Sequence, residues 1–561
     1  MTSGFFFALL FQKRNPRSFP LAIGFTILTL VPALAPRLAA DTYPRQTGVD
    51  AVHYVFRLSL LTDESPQIRG DATVRLKFVT ANVREAWLDF ATPTADGKGM
   101  TMKSVTRDGK PAPFTHQNNR LTLTLAQPPA AGEEVSFDVQ YQGAPANGLR
   151  LINNIHGERT AFSENWSNQA RQWLPMIDHP YDKATGEFIV TTSSVYQVVA
   201  NGALVEELDL PNGLRRTHWR QSVPIASWLY ALGVARFAVK HAGMFQGVPI
   251  QYWVFPQDIE RGYALFDRDA RACFEFFVRN VGPYAYEKLA HVQAAGLGGG
   301  TEHASNIFYG EKGVSGGNGP VVHETAHQWF GDAVTEKDWD DVWLSEGFAT
   351  YFTLLFTEHA RGRDAFVEGV RRSRTTVLRL EQTSPNTPVV HRNLDEKTQR
   401  VLNNFVYQKG GWTLHMLRGL IGTETFWTGI RAYYRRYMNS NASTDDFRQV
   451  MEQASGQDLR WFFTQWLNRS GVPKIEGSWR YNAERKQIEI TLAQTQAGDP
   501  FRLPIEFEIE TPPNVPPRPI EKVSFSDRTA TFTFASDSAP VRIVIDPNVW
   551  VLAEFGEFVK K

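Results

Sequence analysis

The sequence has a single cysteine, no excess of charge of either sign, and no compositional bias that marks a specialised class of protein. Cys273 stands alone, so no disulfide can form within the chain and its stability must come from packing. The 59 basic and 59 acidic residues cancel, which argues against a polyanionic partner such as nucleic acid. With 42% hydrophobic and 12% aromatic residues, the composition argues against a disordered, collagen-like or polytopic membrane protein.

The 561 residues exceed what one hydrophobic core usually supports, so we expect several domains. Period-two alternation dominates residues 41–245 and predicts an antiparallel β domain. Helical spacing replaces it over residues 246–470 and predicts an α-rich domain. Alternation returns over residues 471–561, which predicts a small closing β-sandwich.

The first forty residues have the order of segments that is typical of an export signal. Basic residues come first, an apolar run over residues 21–34 follows, and small residues close the stretch. We therefore expect residues 1–40 to be a signal peptide and the rest of the chain to be periplasmic or extracellular, with no stable membrane span. The alternative is an uncleaved membrane anchor, against which the short run and its interruption by Gly24 and Pro32 argue.

The strongest chemical signal is the pattern H-E-x-x-H, which starts at His323 and contains no helix breaker. On a helix, His323 and His327 lie one turn apart on the same face, so two imidazole nitrogens can bind one zinc ion. Catalytic zinc takes three protein ligands, and Glu346, which follows His327 after 18 intervening residues, is the candidate for the third. Glu324 can accept a proton from the zinc-bound water. The sequence therefore predicts a hydrolytic site with one Zn²⁺ per chain.

These motifs resemble the aminopeptidase N family of zinc exopeptidases, a gluzincin family that includes leukotriene hydrolase. The resemblance is carried by the spacing from the H-E-x-x-H pattern to Glu346 and by the segment Trp343-Leu-Ser-Glu-Gly-Phe-Ala349. It implies a saddle-like N-terminal β domain over residues 41–245, a thermolysin-like catalytic domain over residues 246–470, and a β-sandwich over residues 471–561.

Two further segments resemble that family and imply roles for their residues. Gly299-Gly-Thr-Glu-His303 is similar to the G-x-M-E-N segment, so Glu302 would hold the free amino group of the substrate in a loop formed with Gly299 and Gly300. A protonated amine that enters a dry cleft needs such an anionic partner. Tyr407 corresponds to the tyrosine whose hydroxyl stabilises the oxyanion.

The sequence departs from the family pattern at three positions. Thr301 and His303 replace the usual Met and Asn, which affects the expected shape and polarity of the first specificity pocket. Glu164 stands near the position of a usual Gln, where it is either a second contact to the amine or a plain surface acid.

The resemblance implies a zinc metallo-aminopeptidase whose substrates are peptides with a free N-terminus. A zinc endopeptidase is one alternative, although it would need no amine anchor such as Glu302. A catalytically silent binding protein of the same fold is another, and such proteins usually lose the ligands or the base that are present here. A third alternative is epoxide hydrolysis, as in leukotriene hydrolase, and nothing in this sequence singles it out. Neither the preferred N-terminal residue nor the oligomeric state follows from these residues.

Overall fold

The computed structural model of the protein describes residues 41–392, 394 and 402–561. The expected signal peptide, residues 1–40, lies outside the described residues. Among the residues that are described, no helix is both long and apolar enough to cross a membrane.

The N-terminal part of the described chain is built from β-strands. They are β1 (Val49–Ser59), β2 (Ile68–Phe78), β3 (Glu85–Asp89), β4 (Gly99–Arg107), β5 (Lys110–Pro111), β6 (Phe114–Gln117), β7 (Arg120–Thr124), β8 (Glu134–Ala144), β9 (Leu149–Asn153), β10 (Arg159–Ser163), β11 (Lys183–Ser193), β12 (Gln197–Ala200), β13 (Ala203–Leu210), β14 (Leu214–Ala226) and β15 (Leu232–Ala235). The strand β2 shows why they form, because Val74 and Leu76 are buried on one face while Arg75 between them is exposed.

These strands form three sheets with a largely antiparallel pattern. The largest has the order β13-β14-β11-β1-β2-β8-β4-β5, in which only the pair β1 and β11 is parallel. A second sheet has the order β12-β15-β10-β9, and a third has the order β3-β7-β6. The expected N-terminal β-rich domain is therefore confirmed.

The middle of the chain begins with a mixed sheet and continues into helices. The sheet strands are β16 (Ala238–Phe245), β17 (Val248–Val254), β18 (Leu289–Ala294), β19 (Gly300–Thr301) and β20 (Asn306–Gly310), in the order β16-β17-β18-β20-β19. The helices are α1 (Ile259–Asn280), α2 (Glu311–Ser315), α3 (Val321–His327), α4 (Trp343–Arg361), α5 (Arg363–Thr383), α6 (Asn404–Ile421), α7 (Thr423–Tyr437), α8 (Thr444–Ser455) and α9 (Arg460–Phe463). A parallel pair of short strands, β21 (Val334–Glu336) and β22 (Ser440–Ala442), links the helices. The expectation of an α-rich middle region is confirmed.

The C-terminal part consists of two facing sheets. Their strands are β23 (Lys474–Asn482), β24 (Gln487–Gln494), β25 (Leu503–Glu510), β26 (Glu521–Phe525), β27 (Thr529–Ala535), β28 (Arg542–Ile545) and β29 (Glu554–Lys560), in the orders β27-β24-β23-β29 and β26-β25-β28. Alternate residues of β24 and β25, such as Ile490 and Ile505, are fully buried between the sheets. The C-terminal β-sheet region expected from the alternation is confirmed.

The helices α4 and α6 touch through their backbones, and this contact positions two residues of the candidate site. A Cβ atom on Gly347 would lie 2.9 Å from the carbonyl carbon of Gly410 and 3.1 Å from the carbonyl oxygen of Val406. Gly347 follows Glu346 in α4, and Val406 precedes Tyr407 in α6. Because Gly347 has no side chain, α4 and α6 can approach closely, and this approach sets the distance between Glu346 and Tyr407.

We expect the substitution Gly347→Ala to lower the free energy of unfolding by about 1–3 kcal/mol, because the added methyl group forces α6 away from α4. Helix propensity alone would favour alanine by about 1 kcal/mol, so the sign of the change separates the two effects in a urea titration. The matched control is Gly298→Ala, where a Cβ atom would meet nothing within 4 Å. Equal stability of the two variants would contradict the importance of this contact.

Candidate metal centre

The three predicted metal ligands converge on one point in the structure. His323 and His327 lie in α3, and Glu346 lies in the first turn of α4. The Nε2 atoms of the two histidines are 3.1 Å apart, and each of them lies 3.3 Å from Oε2 of Glu346. The turn between the helices brings Glu346 back to the histidines because aromatic side chains pack between them, as Phe330 does against Phe348 with ring centroids 4.6 Å apart.

The separations between these three atoms fit a zinc ion. Nitrogen and oxygen ligands at about 2.0–2.1 Å from a common tetrahedral centre lie about 3.3 Å from one another. The three observed separations, 3.1, 3.3 and 3.3 Å, agree with that value. Two imidazoles and one carboxylate are also a ligand set that zinc accepts in hydrolytic sites. His323, His327 and Glu346 can therefore hold one Zn²⁺.

Hydrogen-bond partners of Nδ1 of His327 leave the other ring nitrogen, Nε2, available to bind a metal. Its Nδ1 atom lies 3.1 Å from the carbonyl oxygen of Phe330 and 3.0 Å from the hydroxyl of Ser345. An N–H at Nδ1 that donates to the carbonyl leaves the lone pair on Nε2, which is the atom that faces His323 and Glu346. Ser345 was not among the residues predicted from the sequence, because a serine next to a ligand has no spacing signal.

Glu324 lies beside the ligands with its carboxylate against the backbone of Gly300. A Cβ atom on Gly300 would come within 2.5 Å of the Glu324 carboxylate, so only a glycine allows this approach. A carboxylate oxygen of Glu324, one of Glu302 and one ring nitrogen of His327 all lie within 4.8 Å of one another. The structure thus brings Gly300, Glu302 and Glu324 to the metal ligands. Gly299 stands next to them, and its carbonyl oxygen accepts a hydrogen bond from Gly310 at 2.6 Å.

Glu164 reaches the same place from the N-terminal β-rich part. Its Oε2 atom accepts a hydrogen bond from the hydroxyl of Thr301 at 2.9 Å, and burial is the main cause that raises its pKa. His303, by contrast, is fully buried, and its ring packs edge-on against Phe308 with centroids 4.9 Å apart. Thr301 therefore contacts Glu164, while His303 points into the protein core.

Tyr407 completes the arrangement from α6. Its ring stacks parallel to the ring of His323, with centroids 6.2 Å apart and an angle of 19°. Burial, followed by the negative charge of Glu346, raises the pKa of Tyr407 above its usual value. The hydroxyl group therefore keeps its proton and remains a hydrogen-bond donor.

Four carboxylates share this small volume and disturb one another. The pKa of Glu302 is raised to about 7, mainly by burial and in addition by the charges of Glu346 and Glu164, while His327 opposes the increase. Burial, and then the charge of Glu302, also raise the pKa of Glu324 well above its usual value. In Glu346 burial is outweighed by the imidazoles of His327 and His323, so its pKa falls to about 2. A bound dication would supply the opposite charge that this cluster needs.

Gln328, the residue after α3, connects this helix to the loop that carries Glu302. No motif or spacing in the sequence marks it. Its Nε2 atom donates to the carbonyl oxygen of Glu302 at 2.9 Å and to Oδ2 of Asp332 at 2.6 Å. Its Oε1 atom accepts from the backbone N–H of Ser305 at 2.8 Å. A fully buried amide with three such partners fixes the distance from Glu302 to the metal ligands.

The fold and the three candidate ligands have the features of a known class of protein. Two histidines in H-E-x-x-H and a glutamate on the following helix, next to a β-rich N-terminal part, are the features of a gluzincin metallopeptidase. Residues 50–229 match the peptidase M1 N-terminal domain, and residues 318–466 match the peptidase family M1 domain. The chain belongs to the M1 peptidase family. Glu302 lies between the two matched stretches.

Among curated relatives, the glutamyl aminopeptidase of Bitis rhinoceros is 26% identical over 333 residues, which are 56% of this chain and 35% of the relative. The glutamyl aminopeptidase of Rattus norvegicus is 27% identical over 366 residues, which are 62% of this chain and 38% of the relative. The matched region thus spans little more than a third of the length of these relatives.

A solved structure of aminopeptidase A from Legionella pneumophila, in complex with aspartic acid, has the same fold. It superimposes with a TM-score of 0.76 at 17% identity and covers 92% of this chain and 61% of that one. Identity this low supports likeness of fold alone.

We expect the substitution Gln328→Met to lower kcat/KM for peptides about tenfold while the bound metal is retained, because Glu302 loses its fixed distance to the ligands. Gln293→Met is the matched control, since Gln293 is also a buried glutamine whose amide connects two segments, at Asp258 before α1 and at Glu311 in α2. Steady-state kinetics and metal analysis of both variants, together with urea titrations, check the prediction. If both variants lose stability and kcat/KM equally, Gln328 has no special role in the site.

Proposed function

We propose that the protein is a zinc-dependent aminopeptidase that removes the first residue from peptides with a free N-terminus. The observation that carries the proposal is the position of Glu302, a buried carboxylate that lies within 4.8 Å of a carboxylate oxygen of Glu324 and of a ring nitrogen of the proposed metal ligand His327. A buried anion so close to a metal that binds the scissile carbonyl sets how many residues can precede the cleaved bond. The aminopeptidase names of the curated relatives support the same activity.

His323, His327 and Glu346 are the proposed zinc ligands. When bound there, zinc supplies a Lewis acid that polarises a carbonyl group and lowers the pKa of water. The residues of the chain provide the remaining steps. A carboxylate oxygen of Glu324 takes a proton from the attacking water and then passes it to the nitrogen of the leaving amine. The hydroxyl of Tyr407 donates a hydrogen bond to the oxygen of the scissile carbonyl as negative charge develops on it.

The free amino group binds to Glu302, with Glu164 as a second carboxylate contact. The hydrogen bond between Thr301 and Glu164 supports this role, because it holds the Glu164 side chain toward the Glu302 loop. Gly299 and Gly300 contribute backbone atoms to the loop that carries Glu302. The positive charge of Arg150 acts on Glu164, so a cation also borders this loop. Because a cation can attract the side-chain carboxylate of a substrate, the substrates to be tested include peptides with an acidic first residue.

The proposed domain arrangement follows the sheets and helices. Residues 41–245, 246–470 and 471–561 are proposed as the N-terminal β domain, the thermolysin-like catalytic domain and the β-sandwich. The pairing of β16 with β17 supports drawing the first boundary a few residues earlier, before Ala238. We also retain export through a signal peptide at residues 1–40 as a proposal.

The test is a panel of aminoacyl fluorogenic amides, each with a free and an acetylated N-terminus. We expect hydrolysis of the free compounds alone, and its loss after zinc is removed with a chelator and its return when zinc is added. Glu324→Gln should bind zinc and lose about 10²–10⁴-fold in kcat, because no base remains to accept the proton. Normal turnover by a zinc-loaded Glu324→Gln variant would contradict the mechanism.

In the same panel, Glu302→Gln should lower kcat/KM for free amines by about 10- to 100-fold through loss of a charge-assisted hydrogen bond. Glu311→Gln is the matched control, since Glu311 is a buried glutamate that bonds to the backbone of Ile155. Hydrolysis of acetylated compounds at the same rate as free ones would favour an endopeptidase. A zinc-loaded protein without turnover on any compound would favour a silent binding protein.

A further inference from the structure

A cavity of about 650 Å³ opens beside the metal ligand His323 and the hydroxyl-bearing Tyr407. Its wall consists of the segment that leads into α3 and of side chains from α1, α4, α5 and α6. Sites that bind small molecules have volumes of roughly 300–1,000 Å³, so the cavity is large enough for part of a peptide.

The cavity lies on one side of the metal ligands. Its lining includes His323 and Tyr407, whereas Glu302 and Glu164 do not contribute to it. In the proposed function Glu302 holds the amino group, so the first residue of the substrate occupies the side of Glu302. The scissile carbonyl lies at the metal ligands and Tyr407, and the chain beyond it must continue on the His323 side. That side is the cavity.

Beside apolar residues such as Leu354, five neutral polar side chains line the cavity. They are Thr350, Thr353, Ser373, Thr376 and Gln408. The Ser373 hydroxyl donates to the side-chain oxygen of Gln408 at 2.8 Å, and the hydroxyls of Thr353 and Thr376 donate to backbone carbonyl groups. Their oxygen atoms can still accept hydrogen bonds from peptide N–H groups. A wall of mixed polar and apolar groups can contact both the backbone and the side chains of a peptide.

Two charged residues, Asp269 and Arg372, line the cavity, and only the ion pair of Arg372 is weak enough for a ligand to replace. Asp269 is paired with Arg268 at 2.7 Å. Arg372 is paired with Glu368 at 3.5 Å, where the two side chains are 71% and 59% exposed. Exposed pairs of this kind contribute little free energy, so the Arg372 guanidinium can exchange Glu368 for the carboxylate of a ligand, which it can bind through two parallel hydrogen bonds.

We propose that the cavity binds the leaving-group part of short peptides and that Arg372 pairs with their terminal carboxylate. The inference rests on the proposed aminopeptidase function and names its substrate class, which is di- and tripeptides with a free C-terminus. A dipeptide or tripeptide has one or two residues beyond the cleaved bond, which extend at most roughly 7 Å, so its terminal carboxylate stays close to the cavity beside His323 and Tyr407. A longer peptide places no carboxylate there and gains nothing from Arg372.

The experiment compares a tripeptide with its C-terminal amide, both starting with the residue that the fluorogenic panel shows to be preferred. We expect the wild-type protein to cleave the free acid with a kcat/KM about tenfold higher, mainly through a lower KM. Arg372→Gln should cleave both tripeptides with the same kcat/KM, so that the preference for the free acid is lost. Arg379→Gln is the matched control, because Arg379 is exposed on the same helix and does not line the cavity.

Equal cleavage of the acid and the amide by the wild-type protein would overturn the proposal, as would equal effects of Arg372→Gln and Arg379→Gln. The fluorogenic amide keeps this failure apart from a failure of the proposed function. If the wild type hydrolyses the fluorogenic amide but ignores the carboxylate, only the role of Arg372 is wrong. If the wild type hydrolyses neither the fluorogenic amide nor the tripeptides, the aminopeptidase function is wrong.

Discussion

The convergence of His323, His327 and Glu346 on one point is the constraint on which the rest of the site depends. Their nitrogen and oxygen atoms lie 3.1–3.3 Å apart, a separation that fits three ligands of one zinc ion. The packing is visible between the end of α3 and α4, where the ring of Phe330, three residues after α3, contacts that of Phe348. The carboxylates of Glu302 and Glu324 then lie close to the same point, and their charge favours a bound dication.

Close backbone approaches hold these groups in place. Gly300 leaves room for the carboxylate of Glu324, and Gly347 lets α4 touch α6 next to Tyr407. Buried hydrogen bonds complete the frame, since Gln328 joins the metal helix to the Glu302 loop and Thr301 joins that loop to Glu164. The parts of the site thus come from different segments of the chain, and contacts between those segments define its geometry.

Much of this arrangement follows from the sequence, for reasons that can be stated. A spacing of four on a helix puts His323 and His327 on one face, and the period of alternation separates strands from helices, so the order of β-rich, helical and β-sheet regions was predictable. Gln328 was not, because its partners Glu302 and Ser305 lie more than twenty positions away and no periodicity marks such a contact. The strands β16 and β17 pair directly across the turn Gln246-Gly247, and because alternation continues on both sides of this turn it does not mark where one domain ends.

The measurement that tests this account most directly is the zinc content of the purified protein and of single-ligand variants after dialysis against metal-free buffer. We expect one equivalent of zinc in the wild type and a loss of tight binding in His323→Ala and Glu346→Gln. His116→Ala is the control, because His116 bonds to the carbonyl oxygen of Phe90, away from the site. Retention of a full equivalent of zinc by both ligand variants, or its absence from the wild type, would contradict the metal centre.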